Sequence, residues 1–372
     1  MIDVVFNGKF LRAPATGVHR VAKELIVACA RIASDDVEGG NGWRLTVVAP
    51  TSPQKTFLPP DVDVVRSGGL SGILKDIPWE HLNLPALARD NVLVNLCNLG
   101  PVGHKNSITM IHDAQVYLVP TSYGTLFRIW YRFLLPIIGR TSKKIVTISE
   151  FSKLELSRFG VARKENIVVI HNGCDHVLGI EPSDDVLSQF GLENRHFVLA
   201  LSNTQPHKNI SILLKAFSAD ELQDVSLVLF GPASAADFER AGCSVPPNVK
   251  FVGRVTDEQL VGLMRGASAF ACPSLTEGFG LPPLEAMALG CPAIISPCGA
   301  LPEICGDAAI EADPYLPEAW IQAVRRLVDD PDLASDYRAR GLERSKLFTW
   351  QKAAEKLLRT IRSERDSGSF SV

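Results

Sequence analysis

The chain has 372 residues, of which 46% are hydrophobic and 21% are charged, and its net charge is −3. This length exceeds what one hydrophobic core usually covers, so we expect two globular domains, and the composition excludes an intrinsically disordered chain. The slightly negative charge gives no support for nucleic acid as a partner.

The amino-terminal sequence and the cysteines predict a cytoplasmic protein. "MIDVVFNGKFLRAPATG" lacks the charged-then-apolar pattern of a signal peptide. No apolar run reaches the roughly 20 residues that a membrane-spanning helix needs. The eight cysteines are scattered without a Cys-x-x-Cys pair. We therefore expect buried, reduced thiols, and neither a disulfide framework nor a metal site.

Strands and helices alternate along the chain. Short runs rich in Val and Ile, such as "IDVVF", "VLVNL", "KIVTIS", "FVLALSN" and "AFACPS", are typical of strands buried on both faces. Helical patterns lie between them, for example "SEFSKLELSRFG", where Ser149 is a good N-cap and Gly160 a helix end. The repeated alternation predicts an α/β protein with doubly wound parallel sheets.

A polar, turn-rich stretch at 172–192 interrupts this alternation. We interpret it as the connection between an N-terminal domain, residues 1–172, and a C-terminal domain, residues 193–345. Residues 346–365 contain an amphipathic helical pattern, "TWQKAAEKLLRTI", which we expect to pack back across the domains.

Two glutamates flank a glycine-rich turn in "PSLTEGFGLPPLEAMALGCP". Glu277 lies in a loop after a predicted strand, and Glu285 lies one turn into the following helix. Glycine amides and a helix N-terminus can bind a diphosphate, and carboxylates can accept hydrogen bonds from vicinal hydroxyls of a sugar or ribose. Alternatively, Glu285 interacts only with the helix dipole and Glu277 is a solvated loop residue.

The segment "PSLTEGFGLPPLEAMALGCPAIIS", followed by "GALPEICGDAA", closely resembles the donor-binding signature of the retaining GT-B glycosyltransferases of family 4. The resemblance covers nearly the whole chain and implies two Rossmann-like domains facing a cleft. It implies that Glu277 contacts the transferred sugar and that Glu285 holds the ribose hydroxyls. The backbone of four turn residues would contact sugar and diphosphate: Gly278, Phe279, Gly280 and Leu281.

The same resemblance implies that residues 193–345 bind the nucleotide-sugar and that the N-terminal domain, on the acceptor side of the cleft, also contributes to the site. Gly17, in "PATGVHRVAKELI", matches a glycine-containing loop that approaches the donor phosphate and the acceptor. His112, at the end of the strand in "SITMIHDAQ", matches a histidine that contacts the donor sugar or the acceptor. The alternatives are a simple helix start at Gly17 and a core histidine at position 112.

"LALSNTQPHKNISILLKAF" corresponds to the family's Gly-Arg-Leu-x-x-x-Lys-Asn segment. Lys208 matches the lysine that neutralises the diphosphate leaving group, and Asn203 lies where donor contact is expected. Many members have an arginine near Ser202–Asn203, and this chain has none. Arg254 and His207 are the candidates for the second cation, although Arg254 is equally well explained as a solvated loop residue.

We expect no metal cofactor. Asp61-Val62-Asp63 looks like the Asp-x-Asp of metal-dependent glycosyltransferases, but a strand edge explains it better, and no other cluster has ligand spacing.

Residues 124–144 combine aromatic and basic residues in a helical pattern. Such a helix can lie on the anionic inner face of a membrane, and the alternative is an ordinary core helix.

The resemblance therefore predicts a retaining, metal-independent hexosyltransferase, most like bacterial polysaccharide mannosyltransferases. It would transfer mannose, with GDP-mannose favoured as donor ahead of UDP-hexoses, to a glycan or lipid-linked glycan. His112, Lys208 and Glu277 would be the catalytic residues, with no enzymic nucleophile. Two alternatives remain open: an inverting GT-B relative or epimerase, and a non-catalytic sugar-nucleotide-binding subunit.

Overall fold

The computed structural model describes residues 2–12, 16–35, 42–50, 58, 62–67, 78–89 and 91–366. The chain divides into two compact units. The first comprises Met1–Gly173 together with Trp350–Val372, and the second comprises Cys174–Thr349.

The strands, in chain order, are β1 (Ile2–Asn7), β2 (Trp43–Ala49), β3 (Asp63–Arg66), β4 (Val92–Asn95), β5 (Ser107–Met110), β6 (Lys144–Thr147), β7 (Ile167–Val169), β8 (Phe197–Leu201), β9 (Ser226–Phe230), β10 (Val249–Gly253), β11 (Ala269–Cys272), β12 (Ala293–Ile295) and β13 (Ala309–Glu311).

The helices, in chain order, are α1 (Gly17–Asp35), α2 (Leu84–Leu87), α3 (Gln115–Leu118), α4 (Thr125–Thr141), α5 (Glu150–Arg158), α6 (Val186–Gln189), α7 (Ile210–Ala216), α8 (Ala235–Arg240), α9 (Asp257–Gly266), α10 (Leu281–Ala288), α11 (Leu301–Cys305), α12 (Pro317–Asp329), α13 (Pro331–Ser345) and α14 (Trp350–Asp366).

Each unit contains one parallel sheet within its described residues. The first has seven strands in the order β3-β2-β1-β4-β5-β6-β7, and the second has six in the order β10-β9-β8-β11-β12-β13. The described pairings are parallel, for example from Ile2 opposite Trp43 to Asn7 opposite Val48. The strand order reverses between β1 and β4 in one sheet and between β8 and β11 in the other. The prediction of doubly wound parallel sheets is confirmed.

The core of each unit is formed by apolar strand residues and the helices that cover them. In the second unit, Trp320 of α12 and Phe217 after α7 are completely buried against β8 and β9 residues. In the first unit, α4 buries Leu134, Leu135 and Ile138 against β6 and the residues after β5. The stability of these helices comes mainly from burial of their apolar faces, because short helices are only marginally stable on their own.

The predicted helix cap at Ser149 is confirmed. Ser149 is extended, and its hydroxyl oxygen accepts the Ser152 N–H, so it satisfies one of the amides left unpaired at the start of α5. The chain turns away at Gly160, whose φ of +68° is accessible to glycine at little cost.

The final helix, α14, packs on α1 of the first unit. Its Glu364 lies 3.3 Å from the Lys144 ammonium, and its Arg362 guanidinium lies 5.1 Å from the centre of the Trp43 ring. The end of the chain therefore contributes to the core of the unit that contains its beginning.

Helix α4 has one buried and one exposed apolar face. The buried face belongs to the core, as the ordinary interpretation of 124–144 predicts. The opposite face exposes Leu126, Ile129, Trp130 and Phe133, with exposed fractions of 83%, 59%, 43% and 63%. No described helix has both the length and the apolar character needed to cross a membrane.

Candidate active site

Two loops meet at the point where the strand order of the second sheet reverses. β8 is followed by the loop that carries the 3₁₀ turn Pro206–Lys208, and β11 is followed by the loop that contains Glu277. Because β8 and β11 are neighbours and their connections leave on opposite sides, a crevice forms at their carboxyl ends, where α/β proteins bind ligands. The two predicted residues Lys208 and Glu277 are brought together here.

Glu277 accepts hydrogen bonds from two side chains. Lys208 Nζ donates to Oε1 at 2.7 Å, and Ser274 Oγ donates to the same oxygen at 2.7 Å. Burial raises the pKa of Glu277, but the Lys208 charge and the two hydrogen bonds outweigh it and hold the pKa below its ordinary value. Glu277 is therefore an anion at neutral pH, and the alternative of a solvated loop residue does not describe its side chain, which is only 14% exposed.

The backbone around this ion pair is held by close packing. Asn209 adopts a left-handed conformation with φ of 54°, and its side-chain amide donates to the carbonyls of Pro273 and Pro314 at 3.2 and 2.8 Å. Gly299 lies against Glu277, since a Cβ there would be 2.5 Å from the Glu277 nitrogen. The Lys208–Glu277 geometry thus depends on four loops, those that follow β8, β11, β12 and β13.

The turn after Glu277 leads directly into α10. Gly280 is the N-cap with φ of 98°, and a Cβ there would be 2.6 Å from Leu301 Cδ2, so only glycine fits without strain. Phe279 is buried and packs edge-to-face on Phe348, with ring centroids 5.9 Å apart. Because Pro282 and Pro283 carry no N–H, the amide donors at this helix start are those of the turn itself.

Glu285 lies on α10 and contacts His176, which is near the start of the second unit. Its Oε1 is 3.1 Å from His176 Nε2, an ion-pair distance at which the two groups are not aligned for a hydrogen bond. The side chains are 9% and 6% exposed. His176 belongs to the 3₁₀ turn Asp175–Gly179, which packs on α10. The buried imidazole thus limits the space that is open to the carboxylate.

The other predicted residues of the second unit have different surroundings. Asn203 uses its side-chain oxygen to accept the Gln205 N–H at 2.8 Å and so shapes the loop after β8. Arg254 is exposed after β10, two strands from β8. Burial, with the Lys208 charge, lowers the pKa of His207 to about 4. His207 is therefore neutral at pH 7 and does not supply the second cation that the sequence left open.

The two predicted residues of the first unit are His112 and Gly17. His112 is buried, and its Nε2 lies 2.8 Å from the Leu96 carbonyl, which only accepts, so Nε2 carries the proton. Burial lowers its pKa to about 4 despite this hydrogen bond. Gly17 is the first residue of α1, and a Cβ there would meet no atom within 4 Å. The structure thus fixes His112 as a neutral imidazole and leaves Gly17 unobstructed.

Three residues of the candidate site were not identified from the sequence. Ser274 is three residues before Glu277, and its hydroxyl in the same loop could have been recognised from the sequence as a hydrogen-bond donor to Glu277. Gly299 belongs to the "GALPE" segment, whose glycine indicates a close approach without naming its partner. His176 lies in the stretch that was interpreted as the connection between the domains. It is so far from Glu285 in the sequence that their contact could not be predicted.

The predicted Asp-x-Asp segment is only partly described. Asp63 begins the edge strand β3, and Asp61 lies outside the described residues. Among the residues that the structure describes, no three His, Cys, Asp or Glu side chains are grouped to hold a metal ion. All eight cysteines are free thiols.

Two family models match the chain. The model described as "Glycosyl transferases group 1" matches residues 185–344, and "Glycosyltransferase Family 4" matches residues 16–178. The chain is 30% identical to O-antigen chain mannosyltransferase B of Escherichia coli over 66% of this chain and 68% of that protein. It is 26% identical to O-antigen chain mannosyltransferase RfbU of Salmonella typhimurium over 63% and 64%. It is 36% identical to a GDP-mannose-dependent phosphatidylinositol dimannoside mannosyltransferase of Mycobacterium tuberculosis over 43% and 41%.

Solved structures share the fold over almost the whole chain. Sucrose-phosphate synthase from Thermosynechococcus elongatus has a TM-score of 0.74 at 18% identity, covering 99% of this chain and 100% of that one. HepE of Anabaena, solved with UDP-glucose, has a TM-score of 0.73 at 17% identity, covering 98% and 100%. The predicted GT-B fold class is confirmed, and the chain belongs to the group 1, family 4 glycosyltransferases.

Proposed function

We propose that this glycosyltransferase transfers mannose from GDP-mannose to a glycan acceptor with retention of configuration and without a metal ion. The observation that carries the proposal is the Lys208–Glu277 pair beside the amino-terminal end of α10, with Glu285 on the same helix. A cation and the N–H groups of the turn suit the diphosphate of a nucleoside diphosphate-sugar, and two carboxylates suit its sugar and ribose hydroxyls.

Each group has an assigned role in this proposal. Lys208 carries an ammonium with three N–H donors, so it can bind a phosphate oxygen while it keeps its contact with Glu277. Glu277 would accept a hydroxyl of the transferred sugar through Oε2, because Ser274 and Lys208 both bind Oε1. Glu285 would accept the ribose hydroxyls, and His112 would contact the sugar or the acceptor.

The transfer step is a substitution at the sugar's anomeric carbon. The bond from that carbon to the diphosphate oxygen breaks, and a bond to the acceptor hydroxyl oxygen forms on the same face. The hydroxyl proton passes to the leaving diphosphate oxygen, so no enzymic base is needed. Lys208, the turn amides and the α10 dipole stabilise the charge that grows on the diphosphate.

The choice of GDP-mannose rests on the relatives. The two O-antigen chain enzymes are mannosyltransferases, and the mycobacterial one is GDP-mannose-dependent. The 68% coverage of the first relative, at 30% identity, supports mannose transfer as the reaction class. HepE, crystallised with UDP-glucose, shares 17% identity and supports only the fold.

A direct test compares nucleotides by calorimetry and then follows the reaction. We expect GDP to bind more tightly than UDP or ADP, and GDP-mannose to be consumed, slowly by hydrolysis and faster with a mannose-terminated glycan. The one-bond C1–H1 coupling constant of the product should show that the transferred mannose has the α configuration, the same as in the donor. A β-anomer would contradict retention, and binding of GDP-mannose without any turnover would favour the non-catalytic subunit.

The metal prediction is tested in the same assay. Pre-treatment with EDTA should leave the rate unchanged, because the proposed charge stabilisation comes from Lys208 and backbone amides. A rate that falls with EDTA and recovers with magnesium or manganese would contradict this part of the proposal.

We also propose that the enzyme works at the inner face of the membrane on a lipid-linked glycan. The exposed face of α4 supports this, because Leu126, Trp130 and Phe133 form an apolar stripe with Arg140 exposed at its carboxyl end. Such a face binds anionic lipid by apolar burial and charge together. The free thiols support a reducing compartment.

Vesicle flotation tests the membrane contact. The protein should float with vesicles that contain phosphatidylglycerol and much less with pure phosphatidylcholine. Phe133→Ser should reduce flotation, whereas Leu154→Ser, at an exposed leucine on α5 of the same unit, should not. Equal flotation of both variants would exclude α4 as the contact.

A further inference from the structure

The segment that follows α13 packs on the turn that begins α10. Phe348 is 6% exposed, and its ring lies edge-to-face on the ring of Phe279, with centroids 5.9 Å apart. Phe279 is 3% exposed and stands between the two glycines of the turn. Aromatic pairs in this arrangement contribute more than the apolar area that they bury, and they prefer a defined relative orientation. Phe348 therefore restricts the backbone to which the proposed diphosphate binds.

The same residue supports the segment that contacts Glu285. The Phe348 carbonyl accepts the Cys174 N–H at 3.0 Å, and the Cys174 sulfur lies 3.4 Å from the same oxygen. Cys174 is 1% exposed and directly precedes the turn Asp175–Gly179. In that turn, His176 lies 3.1 Å from Glu285. Phe348 is thus joined to both parts of the proposed nucleotide site, to one through its ring and to the other through its carbonyl.

Arg344, in the last turn of α13, holds the Phe348 ring on its other contact. The Arg344 guanidinium carbon lies 5.4 Å from the centre of that ring, which is within the range of a cation–π contact. Its Nη2 and Nε donate to the carbonyls of Glu303 and Ile304 at 2.6 and 2.8 Å. These carbonyls lie at the carboxyl end of α11, where a cation is favourable. Arg344 therefore fixes Phe348 relative to α11.

Both helices that anchor this arrangement also pack on the donor turn or its helix. α11 begins with Leu301, and a Cβ at Gly280 of the turn would lie only 2.6 Å from Leu301 Cδ2. α13 lies close to α10 at Gly341, where a Cβ would be 3.2 Å from the Met287 side chain. The end of α13 thus has a fixed position relative to α10 and α11, and a change there is transmitted to the turn between them.

We infer that Phe348 and Arg344 are positioning residues for the nucleotide-sugar. Phe348 holds the Phe279 turn and the Asp175–Gly179 turn in place together, and Arg344 fixes the Phe348 ring. Neither residue touches the donor, because both act through these two turns. The inference rests on the proposed function, in which the diphosphate binds at the first turn and the ribose binds at Glu285.

A leucine at position 348 tests the role of the ring. Phe348→Leu keeps an apolar side chain in the core but removes the edge-to-face contact, and it should weaken GDP binding in calorimetry about three- to tenfold. The matched control is Phe238→Leu, because Phe238 is 3% exposed and its ring lies 5.7 Å from that of Phe251 in the same unit. The control should lower the melting temperature to a similar extent and leave the GDP affinity unchanged.

Arg344 provides a second variant at a half-buried position, where folding is less at risk. Arg344→Met removes the cation–π contact and both hydrogen bonds to α11, and it should weaken GDP binding about two- to fivefold. Arg344→Lys keeps the charge at the end of α11 but not the planar group, so it should recover part of that affinity.

Amide hydrogen exchange without nucleotide separates positioning from general destabilisation. Phe348→Leu should speed exchange in peptides that cover residues 174–180 and 276–284 together, because both segments lose the same support. Phe238→Leu should leave both segments at the wild-type rate. This measurement needs no donor, so it does not depend on which nucleotide the protein binds.

Several outcomes would overturn the inference. These are wild-type GDP affinity in a folded Phe348→Leu protein, an equal loss of affinity in Phe238→Leu, and faster exchange in only one of the two segments. If Phe348→Leu did not fold, unchanged GDP affinity in Arg344→Met would contradict the inference. Absent GDP binding by the wild-type protein would contradict the proposed function instead, and the exchange of the two segments would still decide whether Phe348 supports both.

Discussion

Replacing Glu285 tests whether the second glutamate of the turn binds ribose. The hydroxyls at ribose C2 and C3 would both donate to this carboxylate, which is 9% exposed and lies 3.1 Å from His176 Nε2. Glu285→Ala should therefore weaken GDP binding. It should weaken 2′-deoxy-GDP binding less, because that nucleotide has already lost one of the two donors.

The size of the effect follows from the burial of the pair. A hydrogen bond to a charged acceptor contributes about 1.5–3 kcal/mol, which corresponds to about ten- to a hundredfold in affinity. The wild-type protein should prefer GDP over 2′-deoxy-GDP by about tenfold, and Glu285→Ala should lose that preference. His176→Ala should lose only part of it, because His176 restricts the carboxylate and is not aligned to hydrogen-bond it.

Calorimetry with the two nucleotides measures all of these values, and the chain offers a matched control. Glu318 is an exposed glutamate in the first turn of α12, so Glu318→Ala tests the effect of removing a carboxylate near a helix start. It should change neither affinity. The ribose assignment would be wrong if the wild-type protein bound GDP and 2′-deoxy-GDP with the same affinity and Glu285→Ala weakened the binding of both equally.

Three further predictions concern the rest of the site and the fold. Lys208→Ala should lower kcat for GDP-mannose about a hundredfold or more with a smaller change in KM, because the charge it stabilises grows during bond breaking; an unchanged kcat in steady-state assays would contradict this. Gly299→Ala should cost activity and about 1–3 kcal/mol of stability in denaturant unfolding, since its Cβ would press on the Glu277 backbone at a φ of +64°. The free energy of unfolding should fall as pH drops from about 6.5 toward 4, since burial lowers the pKa of His112 to about 4 and the unfolded chain then binds the extra proton. His112→Gln should reduce that pH dependence by up to about 3 kcal/mol, measured by urea titrations at several pH values.

The sequence identified the fold class because its signals are local. Continuous Val and Ile runs predict strands buried on both faces, and Ser149 and Gly160 predict the two ends of α5 correctly. The alternating pattern cannot predict that α14 packs on α1, because that contact joins segments more than 300 residues apart. An amphipathic face shows that a helix is covered on one side and does not show by what.

The site was predicted to the extent that its residues lie in one motif. Glu277, Gly280 and Glu285 lie in the loop, the turn and the helix that follow β11 in direct succession, so their order alone indicates a binding site. The contact of Glu285 with His176 depends on how the turn Asp175–Gly179 packs on α10, and no spacing predicts it. The same limitation applies to His207, which a list of basic residues counts as a cation, although burial makes it neutral.

The two units hold a buried carboxylate in the same physical way. In the first sheet Lys9 pairs with Glu80 at 2.6 Å beside the β1–β4 reversal, and in the second Lys208 pairs with Glu277 at 2.7 Å beside β8–β11. A carboxylate without a partner in such a crevice would take up a proton and lose its strength as an acceptor. In the second unit the Lys208 charge keeps Glu277 ionised, and additional donors, Asn7 in one unit and Ser274 in the other, fix the orientation of each carboxylate. In the proposed function, a sugar hydroxyl would therefore meet in Glu277 an acceptor that is already charged and oriented, so that little reorganisation would be left for the binding step.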